Sequence, residues 1–271
     1  MRLLLRLLPL FFLPWLVISP VSENADAAAT PDQPEWKLWY RHPAEAQGET
    51  HDGWGWNNAQ AWLEALPVGN GRLGGMVFGG VPEERVQLNE DSLWSGGPQD
   101  ADNPAALEAL PEIRRLLFEG KYAEAQELTY QRLVCQGKGS GQGNGAKVPY
   151  GSYQTLGDLR VALDGHDAKA ASGYRRELDL DTAIARVTYQ LAGAAYTREV
   201  FSSAPDQVLV VRLTCDQPGR ITFTARLNRA ERASTQSPAL GELAMSGQLD
   251  NGQGGPGMKF IARLKVINEG G

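Results

Sequence analysis

The feature that most constrains this chain is a change of hydrophobic period at about Tyr150. After it, apolar residues alternate with polar ones at Leu159, Val161 and Leu163, at Val187, Tyr189 and Leu191, at Val208 and Val210, and at Ile221, Phe223, Ala225 and Leu227. Successive side chains of a strand point to opposite faces, so each set is one buried face of a strand. Turn signals such as Gly193 and Pro218-Gly219 separate the sets, and no crossover helix intervenes. Long antiparallel strands joined by hairpins pack face to face, so the sequence predicts a mainly β fold, an antiparallel β-sandwich.

Before Tyr150 the pattern is different. Residues 31–60 carry Trp, Gly, Asn and Pro with no clean period, apart from a short strand around Trp36 to Tyr40. Order begins at Ala65. The apolar runs Gly75–Phe78 and Arg85–Leu88, separated by Val81-Pro82-Glu83-Glu84, read as paired strands with a turn. Asn103 then precedes Pro104, and Leu107, Leu110, Ile113, Leu116 and Leu117 recur at helical spacing until Gly120. A second helix from about Lys121 to Leu133 places Tyr122, Ala125, Leu128 and Leu133 on one side and completes a short helical hairpin. Residues 136–145, with glycine at every second position from Gly137, read as a flexible loop.

The first residues are an export signal by pattern. Arg2 and Arg6 form a basic start, Leu7 to Ile18 an apolar stretch, and Ala25-Asp26-Ala27 a small-x-small cleavage site. The apolar stretch is short for a membrane span and contains Pro9 and Pro14. The expectation is a signal peptide over residues 1–27, a mature domain over 28–271, and a secreted or periplasmic protein with no membrane attachment after cleavage. Cys135 and Cys215 could pair in such a compartment or stay as two unpaired buried thiols, and no histidine has ligand spacing relative to either.

Charge and motifs exclude several activities. A formal charge of −6 and a pI near 5.2 oppose binding to a phosphate backbone, so no nucleic-acid partner is expected. Gly69-Asn70-Gly71-Arg72-Leu73-Gly74 has the glycine spacing of a dinucleotide loop, but Gly75, Gly79, Gly80 and Pro82 forbid the helix such a loop needs. Tight backbone packing in β-structure accounts for it better. There is no G-x-S-x-G elbow, no phosphate loop and no H-E-x-x-H. Neither a metal nor an organic cofactor is indicated.

What remains is acidic and aromatic. Six of the seven tryptophans fall in the first third of the chain, and aromatic faces and polar side chains are what saccharides engage. Trp54 and Trp56, among glycines and asparagines, suit a surface loop. The segment Gln87–Pro98 is the richest stretch. Its adjacent Glu90 and Asp91 would point to opposite faces of an extended segment, so they do not form the carboxyl pair of a glycosidase. Either Asn89 and Asp91 bond backbone amides in a structural turn, or one of these residues lines a sugar pocket.

Five blocks in order then resemble a known family. They are Ala65–Gly74, Gln87–Pro98, Tyr153–Leu159, Tyr174–Thr182 and Tyr196–Phe201, and they are similar to the N-terminal domain of glycoside hydrolase family 95, the inverting α-L-fucosidases. The likeness is weaker over Asp164–Gly173 and after Arg229, and Gln47–Ala61 reads as an insertion. The resemblance implies a super-sandwich domain, followed in the family by a helical linker, an (α/α)6 barrel and a C-terminal β domain. The barrel carries the acid and the base, which stand about 6.5–9.5 Å apart in inverting enzymes, so no catalytic residue is assigned here. The substrate-proximal candidates are Glu90, Trp94, Tyr153 and Gln154. The implied partners are a fucosylated glycan and the barrel of the same polypeptide. The final strand, Met258 to Ile267, enters a turn without its expected hairpin partner, which leads us to expect a domain cut short. The alternative is a stand-alone carbohydrate-binding or scaffold module.

Overall fold

The computed structural model describes residues 36–44, 59–98, 102–135, 151–252 and 254–269. The expected export signal, the Trp54 and Trp56 loop, most of the apparent insertion and the glycine-rich loop lie outside them. The described elements begin with β1 (Lys37–Tyr40), α1 (Ala59–Glu64), β2 (Leu66–Gly69), β3 (Leu73–Val77), β4 (Glu83–Glu90), α2 (Ala105–Phe118) and α3 (Tyr122–Arg132). They continue with β5 (Gly157–Leu163), β6 (Ser172–Asp179), β7 (Ile184–Leu191), β8 (Ala194–Ser203), β9 (Val208–Cys215), β10 (Phe223–Asn228), β11 (Ala233–Gln236), β12 (Glu242–Asp250) and β13 (Pro256–Lys265).

Two five-stranded antiparallel sheets, ordered β1-β6-β7-β8-β9 and β10-β5-β4-β3-β2, enclose a main apolar core, with a second buried cluster around Val187, Tyr189 and Tyr196, as the alternation predicts. The smaller sheet β11-β12-β13 adds Met245, Leu249 and Ala262 to the same core. The glycine motif is a β-hairpin turn between β2 and β3. Gly71 sits there at a φ of +94°, and Gly75 faces inward, where a Cβ would stand 2.8 Å from Leu209 and 2.9 Å from Val86.

Three expectations need correction. In β9 the residues that pack on the core are Leu209, Val211 and Leu213, while Val208 is exposed, so the inward phase is one residue off from Val208 and Val210. Four apolar residues in a row, Val208 to Val211, hide that phase. Secondly, β13 does have a hairpin partner, but it precedes it. Strand β12 pairs along β13 from Glu242↔Lys265 to Asp250↔Pro256, and its Ser246, Gly247 and Gln248 blur the alternation that would have revealed it. Thirdly, α1 has no counterpart in the sequence expectation.

The helical hairpin is as expected, and Asn103 closes it. Its Oδ1 accepts from the Ala105 amide at 3.1 Å while its Nδ2 donates to the carbonyls of Arg132 and Val134, each at 3.0 Å. One side chain thus joins the start of α2 to the end of α3 and satisfies three backbone groups. The helices pack chiefly on each other, burying Ile113, Leu116 and Ala125 and leaving Phe118 92% exposed. Both cysteines are free thiols; Cys135 is exposed rather than buried.

The interior holds two arginines that alternation alone would have filled with apolar residues. Arg176 of β6, Val187 of β7 and Arg198 of β8 are directly opposite one another across the sheet, and all point inward. Arg198 donates to Glu84 of β4 at 2.6 Å and to the Gly80 carbonyl at 3.0 and 3.1 Å. Glu84 also accepts the amides of Phe78 at 3.1 Å and Gly79 at 2.8 Å. Burial pushes the Glu84 carboxyl up, and Arg198 with these amides pulls against it. Arg176 donates to the His42 carbonyl at 2.8 Å and to the Glu64 carbonyl, and its guanidinium lies 4.0 Å from the centre of the Tyr40 ring. On the outer face, Glu177, Arg186, Glu199 and Arg212 form an alternating row of charges across four strands.

Replacing Arg198 with Met strands a buried carboxylate and should destabilise the fold by about 3–5 kcal/mol, with the Glu84→Gln/Arg198→Met double variant recovering part of the loss. Urea denaturation of the three proteins checks this. A second expectation concerns acid. His166 is buried, its Nδ1 2.7 Å from the Tyr189 hydroxyl, and burial followed by the Arg198 charge lowers its pKa. A depressed histidine contributes stability above its unfolded pKa, about 6.5, and loses it as pH falls toward the folded value. The melting temperature should therefore drop below about pH 6.5, and His166→Gln should flatten that drop in a pH series of thermal melts.

Candidate functional site

The candidate residues stand where β4 leaves the sheet. Glu90 is its last residue, and the chain turns at Asp91 and Ser92. Leu93 is buried beneath the turn, a contribution of about 1.5–3 kcal/mol that anchors Trp94 and Ser95 against the sandwich. Residues 152–156 return antiparallel to this segment. The Leu156 amide donates to the Leu88 carbonyl, the Gln154 amide to that of Leu93 and the Ser95 amide to that of Ser152, each at 2.9 Å. Trp94 and Tyr153 are therefore directly paired, and α2 and α3 fall between them in sequence, so the two segments form a neck.

Trp94 and Tyr153 form an aromatic pair, and Gln154, the next residue of the returning segment, turns its side chain to the other face with Ser152 and Ser95. The Trp94 and Tyr153 rings meet edge to face, with centroids 5.7 Å apart and planes at 66°. The Trp94 indole donates to the Asp91 carbonyl at 3.2 Å, which fixes the ring while leaving it 49% exposed. The Tyr153 hydroxyl donates to Asn89 Oδ1 at 3.4 Å. Burial, and then the charges of Glu90 and Asp91, raise its pKa, so it stays a donor. Gln154 lies between Ser152, to which its amide donates at 3.0 Å, and Arg229, which donates to its Oε1 at 3.3 Å. Arg229 also donates to the Thr155 carbonyl and covers the Phe260 ring. Beside this pair, residues Trp94–Pro98 line an open groove of about 510 Å³ with Asn251, Pro256, Gly257 and Met258.

Glu90 has a different situation. Its Oε2 accepts the Ser92 amide at 2.9 Å and hydroxyl at 2.6 Å, and its Oε1 accepts from Arg72 at 3.3 Å. Arg72 continues to Gln207 Oε1 at 2.6 Å, so the carboxylate links the β4 turn through the β2–β3 hairpin to the β8–β9 turn. Partial burial opposes ionisation, but the bonds from Ser92 and then Arg72 prevail and hold Glu90 below the usual carboxylate range. An ionised carboxylate with both oxygens engaged is no proton donor. The turn reading holds with a change of residue: Glu90, not Asn89 or Asp91, accepts the backbone amide in the β4 turn.

This arrangement is suited to holding a ligand rather than breaking a bond. Among the described residues the carboxyl whose pKa is raised, Glu84, is sealed in the core. Among the described residues no group of three or more His, Cys, Asp or Glu could hold a metal ion. Sequence reasoning missed Arg229, Asn251 and Met258. Arg229 and Asn251 lie just past the ends of β10 and β12 and Met258 near the start of β13, and only the folded chain brings them to Gln154 and Trp94.

Comparison with known proteins agrees with the resemblance drawn from the sequence blocks. Residues 38–271 match the family model described as glycosyl hydrolase family 65, N-terminal domain. Alpha-L-fucosidase 2 of Arabidopsis thaliana is 39% identical over 188 residues, 69% of this chain and 21% of that protein. Probable alpha-fucosidase A of Aspergillus niger is 33% identical over 265 residues, 94% of this chain and 29% of its own length. The protein of the same name from Aspergillus oryzae is 34% identical over 160 residues, covering 55% and 19%. The chain thus spans less than a third of the length of these relatives. A match that runs from β1 through the last described strand, in a sandwich of this form, means that the chain belongs to the glycosyl hydrolase family 65-type N-terminal domain family.

Proposed function

We propose that this domain is the scaffold and substrate-side part of an exported α-L-fucosidase that acts with inversion, its catalytic acid and base being supplied by a barrel beyond the domain. The match to alpha-fucosidases over up to 94% of the chain carries the reading. The chemistry of the candidate site supports it, because Trp94, Tyr153 and Gln154 offer stacking and hydrogen bonding without a proton donor. The sandwich fixes these groups at one end through the neck, while Glu90 sets the shape of the turn that carries Trp94. The substrate on this reading is a fucosylated oligosaccharide or glycan, the N-terminal 27 residues direct export, and the mature protein is secreted or periplasmic. A carbohydrate-binding module without catalysis is the second reading, favoured by the exposed aromatic pair.

Two measurements test the proposal. The 271-residue chain should not turn over a nitrophenyl α-L-fucoside, and steady release of nitrophenol would overturn the scaffold role. In an enzyme extended through the downstream reading frame, Trp94→Ala, Tyr153→Ala, Gln154→Ala and Glu90→Ala should each raise KM for a fucosylated oligosaccharide. Unchanged kinetics in all four would reduce these residues to packing.

A further inference from the structure

We infer that the outer face of the β2-β3-β4 sheet carries a second saccharide platform, a shallow trench that holds a neutral pyranoside between Trp62 and Tyr153. It is built from three strand registers. Glu84 and Val86 point into the core, so Gln87 and Asn89 point outward, about 7 Å apart along β4. Across the sheet, Pro67, Met76 and Gln87 form one outward row. The next row is Gly69, Gly74 and Asn89. Two of its three positions have no side chain, so the sheet surface beside Asn89 is bare.

Each side of this strip carries a ring fixed against an amide. The Trp62 indole N–H donates to Gln87 Oε1 at 2.9 Å, and the ring is 44% exposed. An indole nitrogen only donates, so the Gln87 oxygen must face it and the Gln87 NH2 faces away. On the other side Tyr153, also 44% exposed, meets Asn89 through its hydroxyl. The result, among the described residues, is two aromatic surfaces, two outward amides and a strand row without side chains at Gly69 and Gly74. Apolar C–H faces of a pyranose suit the rings, and its hydroxyls suit the amides.

The charges nearby argue for an uncharged ligand. Arg85 is paired with Asp158 at 3.0 Å, and Arg160 with Glu83 at 2.6 Å, so the two arginines beside Gln87 on this face are each matched by a carboxylate. The platform lies on the outer face of the sheet, whereas the groove beside Trp94 runs along the β12–β13 turn. It would grip sugar units beyond the residue that is cleaved. That placement and the choice of a fucosylated probe rest on the fucosidase reading; the platform itself does not.

The test is calorimetric titration of the 271-residue chain with a fucosylated oligosaccharide, the same oligosaccharide without fucose, and free fucose. Both oligosaccharides should bind alike, and free fucose should not displace them. Trp62→Ala should weaken binding about tenfold or more, about 1.4 kcal/mol. Gly74→Val, which fills the trench at a strand position open to a side chain, should do the same with the melting temperature preserved. Absence of binding by either oligosaccharide, or binding that survives both substitutions in folded protein, overturns the platform. An intact platform in an extended enzyme that cleaves no fucoside would remove the fucosidase reading alone.

Discussion

The ion pair between Glu84 and Arg198 is the constraint around which the sandwich is arranged. It joins β4 of one sheet to β8 of the other in the dry interior, where an isolated charge costs several kcal/mol. Every nearby element is placed to lower that cost. The chain from Phe78 to Gly80 turns so that two amides face the carboxylate and one carbonyl faces the guanidinium. Tyr174 fastens the same turn by donating to the Gly79 carbonyl at 2.7 Å. A buried pair of this kind adds little stability relative to an apolar one, but it accepts only one register of β4 against β8. That register decides which face Gln87 and Asn89 present and where Glu90 ends the strand.

Function follows from that end of β4. The sandwich contributes rigidity, and the departing chain contributes rings and amides in fixed positions. Trp94 is held by its own indole hydrogen bond, Tyr153 by its pairing with Trp94, and Gln154 by Ser152 and Arg229. A ligand meeting such groups finds them already ordered, so little further entropy is lost on binding. The chemistry that these groups offer is stacking and hydrogen bonding, the chemistry of recognition.

The strands are legible in the sequence where one face is buried and the other wet, as in β5 and β7, because burial then writes a period of two into the residues. The phase is lost in β9, where four apolar residues follow one another, and β12 is hidden because small and polar residues occupy a half-buried strand. Arg176 and Arg198 carry a signal of their own. Each stands in the apolar phase of its strand, between Tyr174 and Leu178 or between Tyr196 and Val200. An arginine in that phase must find a partner inside, and Glu84 in the inward phase of β4 is available. The candidate site is legible as motif but not as geometry. The separation of Glu90 from the aromatic cluster depends on turn hydrogen bonds to Ser92 and on Arg72, 18 residues earlier, which only the folded hairpin brings close.

The neck at Trp94 and Tyr153 bears on how such a domain can change. The chain leaves and re-enters the sandwich as two hydrogen-bonded segments, with Gly96 also bonded to Asp250, and the helical hairpin between them packs chiefly on itself. Lengthening that span costs only loop entropy, about 0.6 kcal/mol for each doubling. The neck is thus a port at which a helical hairpin can be lengthened, trimmed or exchanged over evolutionary time while the rings at its base keep their positions, so recognition beside the sandwich can diversify without refolding it.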